Sequence, residues 1–411
     1  MSWIRVFAAV LTLGVLHVGP ARAEDDDDDE IGENTVTGSR GGQQQSAAAA
    51  ADAEIIAWFN RPYDADSYRA AEVLGADVAV IDACREAVEL VYARRYKDAR
   101  KQLDGLTTKY PTSGIGPLGI ALMYQALMFE NFDFRYEKQY AMSAAAARKQ
   151  LDAGLAAPGN DAFEHFLYGG LLGVEAIHQM RKNDFLGALG RATEALKHVE
   201  KTRSKAPTFA DLALADGLYT YWRSVVTQNS KLLPDFPDRR AEGMALMQKA
   251  EKEAVFLGPG ASLALAYSHI EERSLRNALD RCLYIRVTYP NNVINNMTLA
   301  RIYTSGRRYG EAVRVLDEIL QTVPDNQRAH YFRGVALARQ GKYPDALKAY
   351  ETYLGFKEVP NEYRGQTYYR LGALYVRQNQ PDKALAYFKQ SVATSDNQAA
   401  KRAIERLKAG K

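Results

Sequence analysis

The sequence predicts an all-α solenoid, a right-handed superhelix built from helical hairpins. Two spacings carry this prediction. Alanines recur every 34 residues in the C-terminal third, at Ala278, Ala312 and Ala346, and a small residue precedes each of them by twelve positions. A period of about 20–50 residues is typical of repeat architectures, in which each unit buries its apolar face only against its neighbours. No segment of any length shows the alternating pattern of a β-strand in place of this helical spacing.

The first residues predict an export signal. Arg5 precedes an apolar run from Val6 to Leu16, and Ala21-Arg22-Ala23 places small residues where a signal peptidase cuts. We therefore expect residues 1–23 to be a cleaved signal peptide and the mature chain to lie in a bacterial periplasm. No cysteine follows the cut, which argues against a lipoprotein. The alternative interpretation is that residues 1–23 form a buried helix.

The segment after the predicted cut is strongly acidic. Residues 24–30 are seven consecutive carboxylates, and Gly, Gln and Ser are frequent up to about residue 46. Because like charges repel and such a composition cannot form a core, we expect residues 24–50 to be a disordered linker. The acids loosely resemble a calcium loop, but Glu30 or Ile31 stands where that loop requires glycine. A further hypothesis is that the acidic tail 24–30 binds intramolecularly to a basic groove.

Composition excludes several classes of protein. Cys84 and Cys282 are too few for a disulfide scaffold, so we interpret them as small buried apolar residues. No stretch after the signal approaches the ~18 consecutive apolar residues that a membrane span needs. Basic residues are dispersed and the net charge is only +3, so nucleic-acid binding is not expected.

Each C-terminal unit contains a predicted helix crossing. Only a residue with little side chain lets two antiparallel helices approach closely, while larger apolar residues fill the groove around it. The pairs are Ala266 with Ala278, Ala300 with Ala312, Gly334 with Ala346, and Gly372 with Ala384. These pairs predict four repeat units over residues 259–398. Ile404 and Leu407 share one side of a predicted capping helix over 399–411.

The pattern continues upstream in weaker form, which predicts a divergent helical region over residues 51–258. Ala87 and Ala99 keep the twelve-residue spacing and mark a fifth unit. Further helix pairs are predicted at 116–130 with 137–156, 162–181 with 184–203, and 208–228 with 238–256.

These residues resemble the tetratricopeptide-repeat family, whose units place small, aromatic, alanine and proline positions in a two-helix hairpin. Segment 327–353 is the most typical, with Gly334, Leu337, Gly341, Tyr343, Ala346 and Tyr350. Three departures are visible: Arg333 stands where an apolar residue is usual, the third unit is four residues longer, and Glu358 and Asp396 replace the closing proline. Residues 216–219 and 237–243 also look like segments of exported bacterial tetratricopeptide-repeat proteins of unassigned function.

The resemblance implies a protein-binding groove formed mainly by the first helix of each unit. Its expected exposed residues are Tyr267, Met297, Arg301, Arg328, Tyr331, Arg339, Tyr369 and Arg377. Guanidinium groups bind carboxylates bidentately and stack on aromatic rings, so this set suits an extended acidic or mixed peptide. The alternative is that these residues only solvate a long helical surface.

The predicted function is that of a non-enzymatic periplasmic scaffold that binds other proteins, needs no cofactor or metal, and assembles or stabilises an envelope complex. Secretion, pilus, gliding-motility and outer-membrane assembly systems are examples by family analogy. The alternative is a cell-wall (peptidoglycan) hydrolase with carboxylates in residues 116–256. There Glu164, Glu175 and His178 share a predicted helix face, and Glu175 with His178 has the spacing of half a dinuclear metal site. No second such pair and no catalytic motif accompanies them.

Overall fold

The computed structural model describes residues 63–157, 162–228, 237–357 and 359–409. All regular secondary structure within these ranges is α-helical, which confirms the predicted all-α fold class. The first nine helices are α1 (Tyr63–Leu74), α2 (Val78–Tyr92), α3 (Tyr96–Lys109), α4 (Ile115–Asn131), α5 (Glu137–Ala156), α6 (Ala162–Arg181), α7 (Phe185–Lys205), α8 (Leu212–Gln228) and α9 (Arg240–Glu253). The others are α10 (Gly258–Glu271), α11 (Leu275–Thr288), α12 (Val293–Ser305), α13 (Tyr309–Thr322), α14 (Gln327–Arg339), α15 (Tyr343–Leu354), α16 (Asn361–Arg377), α17 (Pro381–Ser395) and α18 (Gln398–Lys408).

The helices belong to two compact units. The first comprises the described residues up to Ala126 together with Tyr136–Tyr289, and the second comprises Leu127–Arg135 and Pro290–Lys411. Hairpins α6/α7, α8/α9 and α10/α11 lie in the first unit, and α12/α13, α14/α15 and α16/α17 lie in the second. Within each unit, neighbouring hairpins contact each other through the second helix of one and the first helix of the next, as α9 contacts α10, α13 contacts α14 and α15 contacts α16. This neighbour-to-neighbour packing is the local arrangement of a solenoid.

One turn geometry is shared by six hairpins. The residue two positions before the second helix has a positive φ in each: Arg94 (63°), Asn183 (62°), Arg273 (55°), Arg307 (58°), Gly341 (79°) and Asn379 (55°). The next residue donates its backbone N–H five residues back along the first helix, as Arg308 does to Tyr303 at 2.7 Å. This hydrogen bond satisfies a carbonyl at the helix end. The divergent hairpins α2/α3 and α6/α7 therefore share the turn of the typical repeats.

The small residues lie at helix crossings, as the spacing predicts. A β-carbon on Gly334 would lie 2.6 Å from the Tyr350 ring, and one on Gly372 would lie 2.5 Å from the Phe388 ring. Where the small residue is alanine, the position sixteen residues later holds a smaller side chain, Cys282 after Ala266 and Leu316 after Ala300. The small residues and the alanines twelve positions later are buried throughout these four units. A smaller residue at one position is therefore matched by a larger side chain sixteen residues later, which keeps each crossing filled.

A close helix crossing of the first unit joins α8 and α9 at two glycines. A β-carbon on Gly217 would lie 2.8 Å from the Gly243 carbonyl oxygen, and one on Gly243 would lie 2.5 Å from the Tyr221 nitrogen. Tyr221 is fully buried beside this crossing, and its hydroxyl donates to the Ser268 carbonyl. Any side chain at either glycine would force the two backbones apart.

The departures from the family pattern have local explanations. The long third unit starts α16 one turn earlier, since α16 has 17 residues and α14 has 13. Asp396 has a φ of 52°, which proline cannot adopt. Arg333 pairs with Asp317 on α13, with Nε 2.6 Å from Oδ1. Glu358 lies outside the described residues.

The chain's cysteines are both free thiols. Cys282 is fully buried and burial raises its pKa, whereas Cys84 is partly buried and burial raises its pKa to about 12. At the C-terminus, α18 packs Ile404 and Leu407 against a cluster that contains Ala384 and Phe388.

Several predictions concern residues outside the described ranges. These are the signal peptide 1–23, the linker 24–50 and its acidic tail 24–30. Among the helices of the described part, none combines the length and the apolar character that crossing a membrane requires.

Candidate functional site

The eight residues predicted to line a groove lie on the first helices of their hairpins. Tyr267 is on α10 in the first unit, where it packs against a buried cluster that contains Leu265. The other seven are in the second unit: Met297 and Arg301 on α12, Arg328, Tyr331 and Arg339 on α14, and Tyr369 and Arg377 on α16.

Two of these residues are not exposed, and their predicted exposure was wrong. Met297 is 3% exposed and Tyr331 is 4% exposed. Tyr331 packs against the rings of Tyr350 and Tyr353, with a centroid distance of 5.3 Å to Tyr353. The cause is the width of the apolar face, which takes in large side chains that a narrower stripe would leave in solvent. Tyr369 is also partly covered, with its ring 5.7 Å from Phe388.

Sequence reasoning missed Tyr363, a partly buried tyrosine at the start of α16. Burial raises the pKa of Tyr363 to about 12, and the positive charges of Arg328 and Arg301 oppose that rise. Tyr363 stands in the extra N-terminal turn of α16, so the 34-residue register gives it no equivalent position in the other units. The four-residue insertion is the one sequence signal that could have pointed to it.

Arg328 also contacts a distant segment of the chain. Its guanidinium lies 5.2 Å from the centroid of the Phe132 ring. The same segment is fixed by Asn326, whose Nδ2 donates to the Glu130 carbonyl at 2.9 Å, and by the Gln327 amide, which donates to Asn131 Oδ1 at 2.8 Å. Residues 130–132 thus lie against the N-terminus of α14 within the second unit. A separation of 196 residues leaves no local sequence signal for this contact.

Arg339 and Arg377 are exposed in the last turns of α14 and α16. Cations there also complement the helix dipole, so their position has a structural reason besides binding. We call Arg301, Arg328, Arg339, Tyr363 and Arg377 together the first-helix surface. It presents four guanidinium groups and one phenol from three consecutive repeats.

The polar residues predicted on α6 lie in different surroundings. Glu175 forms ion pairs with Arg148 and Arg191, with N–O distances of 2.5 Å and 3.1 Å. His178 stacks on Tyr140 with a centroid distance of 4.3 Å, and burial lowers the pKa of His178. Glu164 lies near Gly154 of α5. No group of three or more potential metal ligands occurs in the described part of the chain.

One known protein family matches two segments of the chain. The tetratricopeptide-repeat family matches residues 297–362 and again residues 365–398, both in the second unit. The chain therefore contains tetratricopeptide repeats in these two segments. Repeats of this family support a protein-binding scaffold or adaptor, which agrees with the predicted role in its general form.

A curated relative of this chain is the Photosystem I assembly protein Ycf3 of Rippkaea orientalis (strain PCC 8801 / RF-1). The two are 35% identical over 81 residues, which are 18% of this chain and 46% of Ycf3. The chain therefore spans about half the length of the curated relative that it matches.

Two solved structures are similar to this chain at low sequence identity. MamA from residue 41 to its end, of Desulfovibrio magneticus RS-1, is 16% identical, with a TM-score of 0.37 over 46% of this chain and 97% of MamA. YrrB, described as a tetratricopeptide-repeat protein with an unusual peptide-binding site, is 14% identical, with a TM-score of 0.38 over 50% of this chain and 97% of YrrB.

Proposed function

We propose that this protein is a non-enzymatic scaffold that binds acidic or mixed segments of partner proteins on its first-helix surface. The observation that carries the proposal is that four arginines, Arg301, Arg328, Arg339 and Arg377, occupy the first helices of the second unit, where Arg339 and Arg377 are exposed. These residues come from three successive first helices, so a partner that follows the stack meets cationic and aromatic groups from each repeat in turn.

The chemistry of the surface favours a partner with both carboxylates and aromatic rings. Guanidinium groups bind carboxylates through two parallel hydrogen bonds and also stack on ring faces. Arg328 shows the second contact with Phe132 of the chain itself, at 5.2 Å. Phenol rings add contact area at a small cost in rotamer entropy.

A charge-reversal experiment tests this surface. Arg301, Arg339 and Arg377 are changed together to Glu, and partners are cross-linked and recovered from the native envelope. The matched control changes Arg314, Lys348 and Lys389 to Glu, because these exposed cations lie on the second helices α13, α15 and α17. The proposal expects a specific partner to be lost with the first variant and kept with the control. Equal recovery by both variants, with helicity unchanged, would overturn it.

We further propose that the scaffold works in a bacterial periplasm, where it assembles or stabilises an envelope complex. Arg5, the apolar run to Leu16 and the Ala21-Arg22-Ala23 motif support export. N-terminal sequencing of protein from the periplasmic fraction should begin at Glu24. Recovery from the cytoplasm with residue 1 intact would contradict the localisation.

No observation favours the hydrolase alternative. In the first unit Glu175 is already engaged by Arg148 and Arg191, so its charge stabilises packing between helices. An unengaged pair of carboxylates across an open cleft is the arrangement that hydrolysis of a glycosidic bond requires.

The acidic tail 24–30 is proposed as an internal competitor for the first-helix surface, through attraction between opposite charges. Deleting residues 24–46 should strengthen partner binding at low salt and change it little at high salt, where screening is strong. An unchanged affinity at low salt would discard the competition.

A further inference from the structure

The first unit contains a cavity with charged side chains in its lining, to which neither the repeat pattern nor the proposed function assigns a role. Its volume is about 560 Å³, and side chains of α5, α6 and α7 line it. Pockets that hold small ligands measure about 300–1,000 Å³, so a small molecule or the end of a chain fits this space. The cavity lies entirely among residues of the first unit.

Small residues create the space. Ala141, Ala144 and Ala145 line the cavity from α5. Their spacing of three and four residues places them on one helix face. A larger side chain at any of them would occupy part of this space.

The lining carries an excess of one positive charge. Its cations are Arg148, Lys149 and Arg191, and its anions are Asp152 and Glu175. His178 also lines the cavity, and burial lowers its pKa, which keeps the ring neutral at pH 7. A ligand with one negative charge would therefore neutralise the net charge of the lining.

The cations keep hydrogen-bonding capacity for such a ligand. Arg148 donates to Glu175 and to the Tyr168 hydroxyl, and Arg191 forms an ion pair with Glu175 and donates to Glu194. A guanidinium has five N–H donors, so these bonds to described residues engage only part of each group. Both arginines are at most 37% exposed, which strengthens their interaction with an anion relative to a fully solvated site.

Two buried polar atoms point to a ligand independently of the charges. Tyr140 is 4% exposed, and among the described residues its hydroxyl finds no hydrogen-bond partner. Gln179 Oε1 is likewise buried without a donor in the described part of the chain. Both residues line the cavity. A buried polar group without a partner lowers stability, so a molecule that supplies a donor near Gln179 would recover stability.

We propose that this cavity binds a single carboxylate group with a neighbouring N–H. The carboxylate lies among Arg148, Lys149 and Arg191, and the N–H donates to Gln179 Oε1. Both a small N-acylated amino acid and the carboxyl end of a peptide carry this chemistry. The site is separate from the first-helix surface, which belongs to the second unit.

Ligand-observed NMR on the full-length chain tests the proposal with four probes. N-acetylalanine and acetyl-trialanine carry the carboxylate on a small molecule and on a chain end. Acetyl-Ala-Glu-Ala-amide carries it on a side chain only, and acetyl-trialanine amide carries none. N-acetylalanine and acetyl-trialanine should bind, and acetyl-Ala-Glu-Ala-amide and acetyl-trialanine amide should bind weakly or not at all. The ranking of the first two probes identifies the source of the carboxylate.

Two matched variants locate the binding. Ala145→Phe fills the cavity, whereas Ala146→Phe places the same side chain on the neighbouring exposed residue, which does not line it. We expect Ala145→Phe to weaken carboxylate binding at least about tenfold and Ala146→Phe to leave it unchanged, with equal helicity by circular dichroism. The triple change of Arg301, Arg339 and Arg377 should bind the probes like the natural chain. Equal binding of acetyl-trialanine and its amide, absence of binding by every carboxylate probe at millimolar concentration, or no effect of Ala145→Phe would each overturn the proposal.

Discussion

The ring of Tyr350 occupies the space that a β-carbon on Gly334 would need, since that carbon would lie 2.6 Å from Cε1 of the ring. Tyr350 is fully buried, so the ring has little room to move. We expect Gly334→Ala to lower the free energy of unfolding by about 1–3 kcal/mol, as overpacking does elsewhere. Gly105→Ala is the control, because a β-carbon there meets nothing within 4 Å. Urea unfolding should show the control unchanged or more stable by up to about 1 kcal/mol.

A second change should rescue the first. Tyr350→Leu in the Gly334→Ala background recreates the pairing of Ala300 with Leu316 one repeat earlier. The double variant should be more stable than the sum of the two single effects predicts, with a coupling of about 0.5–3 kcal/mol. Strictly additive unfolding energies would show that the two positions do not share a volume.

The shared hairpin turn predicts opposite effects at Arg307 and Gly341. Both positions have a positive φ and both are exposed. The left-handed conformation costs a residue with a β-carbon about 1–2 kcal/mol, so Arg307→Gly should raise the melting temperature and Gly341→Arg should lower it. Melting curves followed by circular dichroism measure both. Shifts of the same sign would show that side-chain contacts outweigh backbone conformation at these turns.

Asn326 should contribute more to stability than an ordinary helix cap. Its Oδ1 accepts from the Ala329 amide, and its Nδ2 donates to the Glu130 carbonyl. Asn397 makes the equivalent cap contact with Ala400 at the start of α18. Asn397→Ala should cost about 1 kcal/mol, and Asn326→Ala should cost about 1–3 kcal/mol more because a buried carbonyl loses its partner. Chemical denaturation of both variants compares them, and equal losses would mean that the Glu130 contact adds nothing.

A histidine pair in the first unit predicts acid sensitivity. His165 Nδ1 and His198 Nδ1 lie 3.0 Å apart, and His198 stacks on Tyr168. Burial, reinforced by the charge of His165, lowers the pKa of His198 to about 4. A histidine in the unfolded chain has a pKa of about 6.5. The stabilising contribution of neutral His198 is therefore complete above that pH and is lost as the pH falls toward 4.

His198→Phe keeps the stacked ring and removes the titration. The variant should lose less stability than the natural chain between pH 6.5 and 4, and urea unfolding at several pH values measures the difference. Parallel pH profiles for the two chains would contradict the assignment.

The repeat units could be predicted because each small residue and its alanine obey a fixed spacing, and Gly334 and Ala346 do lie at a helix crossing. The burial of Met297 and Tyr331 could not be predicted, because a sequence pattern places a residue on a helix face but does not give the width of the buried stripe. Tyr363 was not predicted as a surface residue because the four-residue insertion that places it at the start of α16 breaks the 34-residue register.

The contact between Arg328 and Phe132 could not be predicted from the sequence either, for a different reason. Its two partners belong to segments that no repeat relates, and only the folded second unit brings them together. The export signal and the partner-binding residues remain predictions.

The contact between residues 130–132 and the start of α14 also has a consequence for biosynthesis. The two segments are separated by 196 residues, so at about 5–20 residues per second the ribosome needs roughly 10–40 s to deliver the second after the first. During that interval Phe132 lacks the cation that later covers it. A nascent chain stalled before residue 326 should therefore bind a chaperone at this segment, and one released beyond α14 should not.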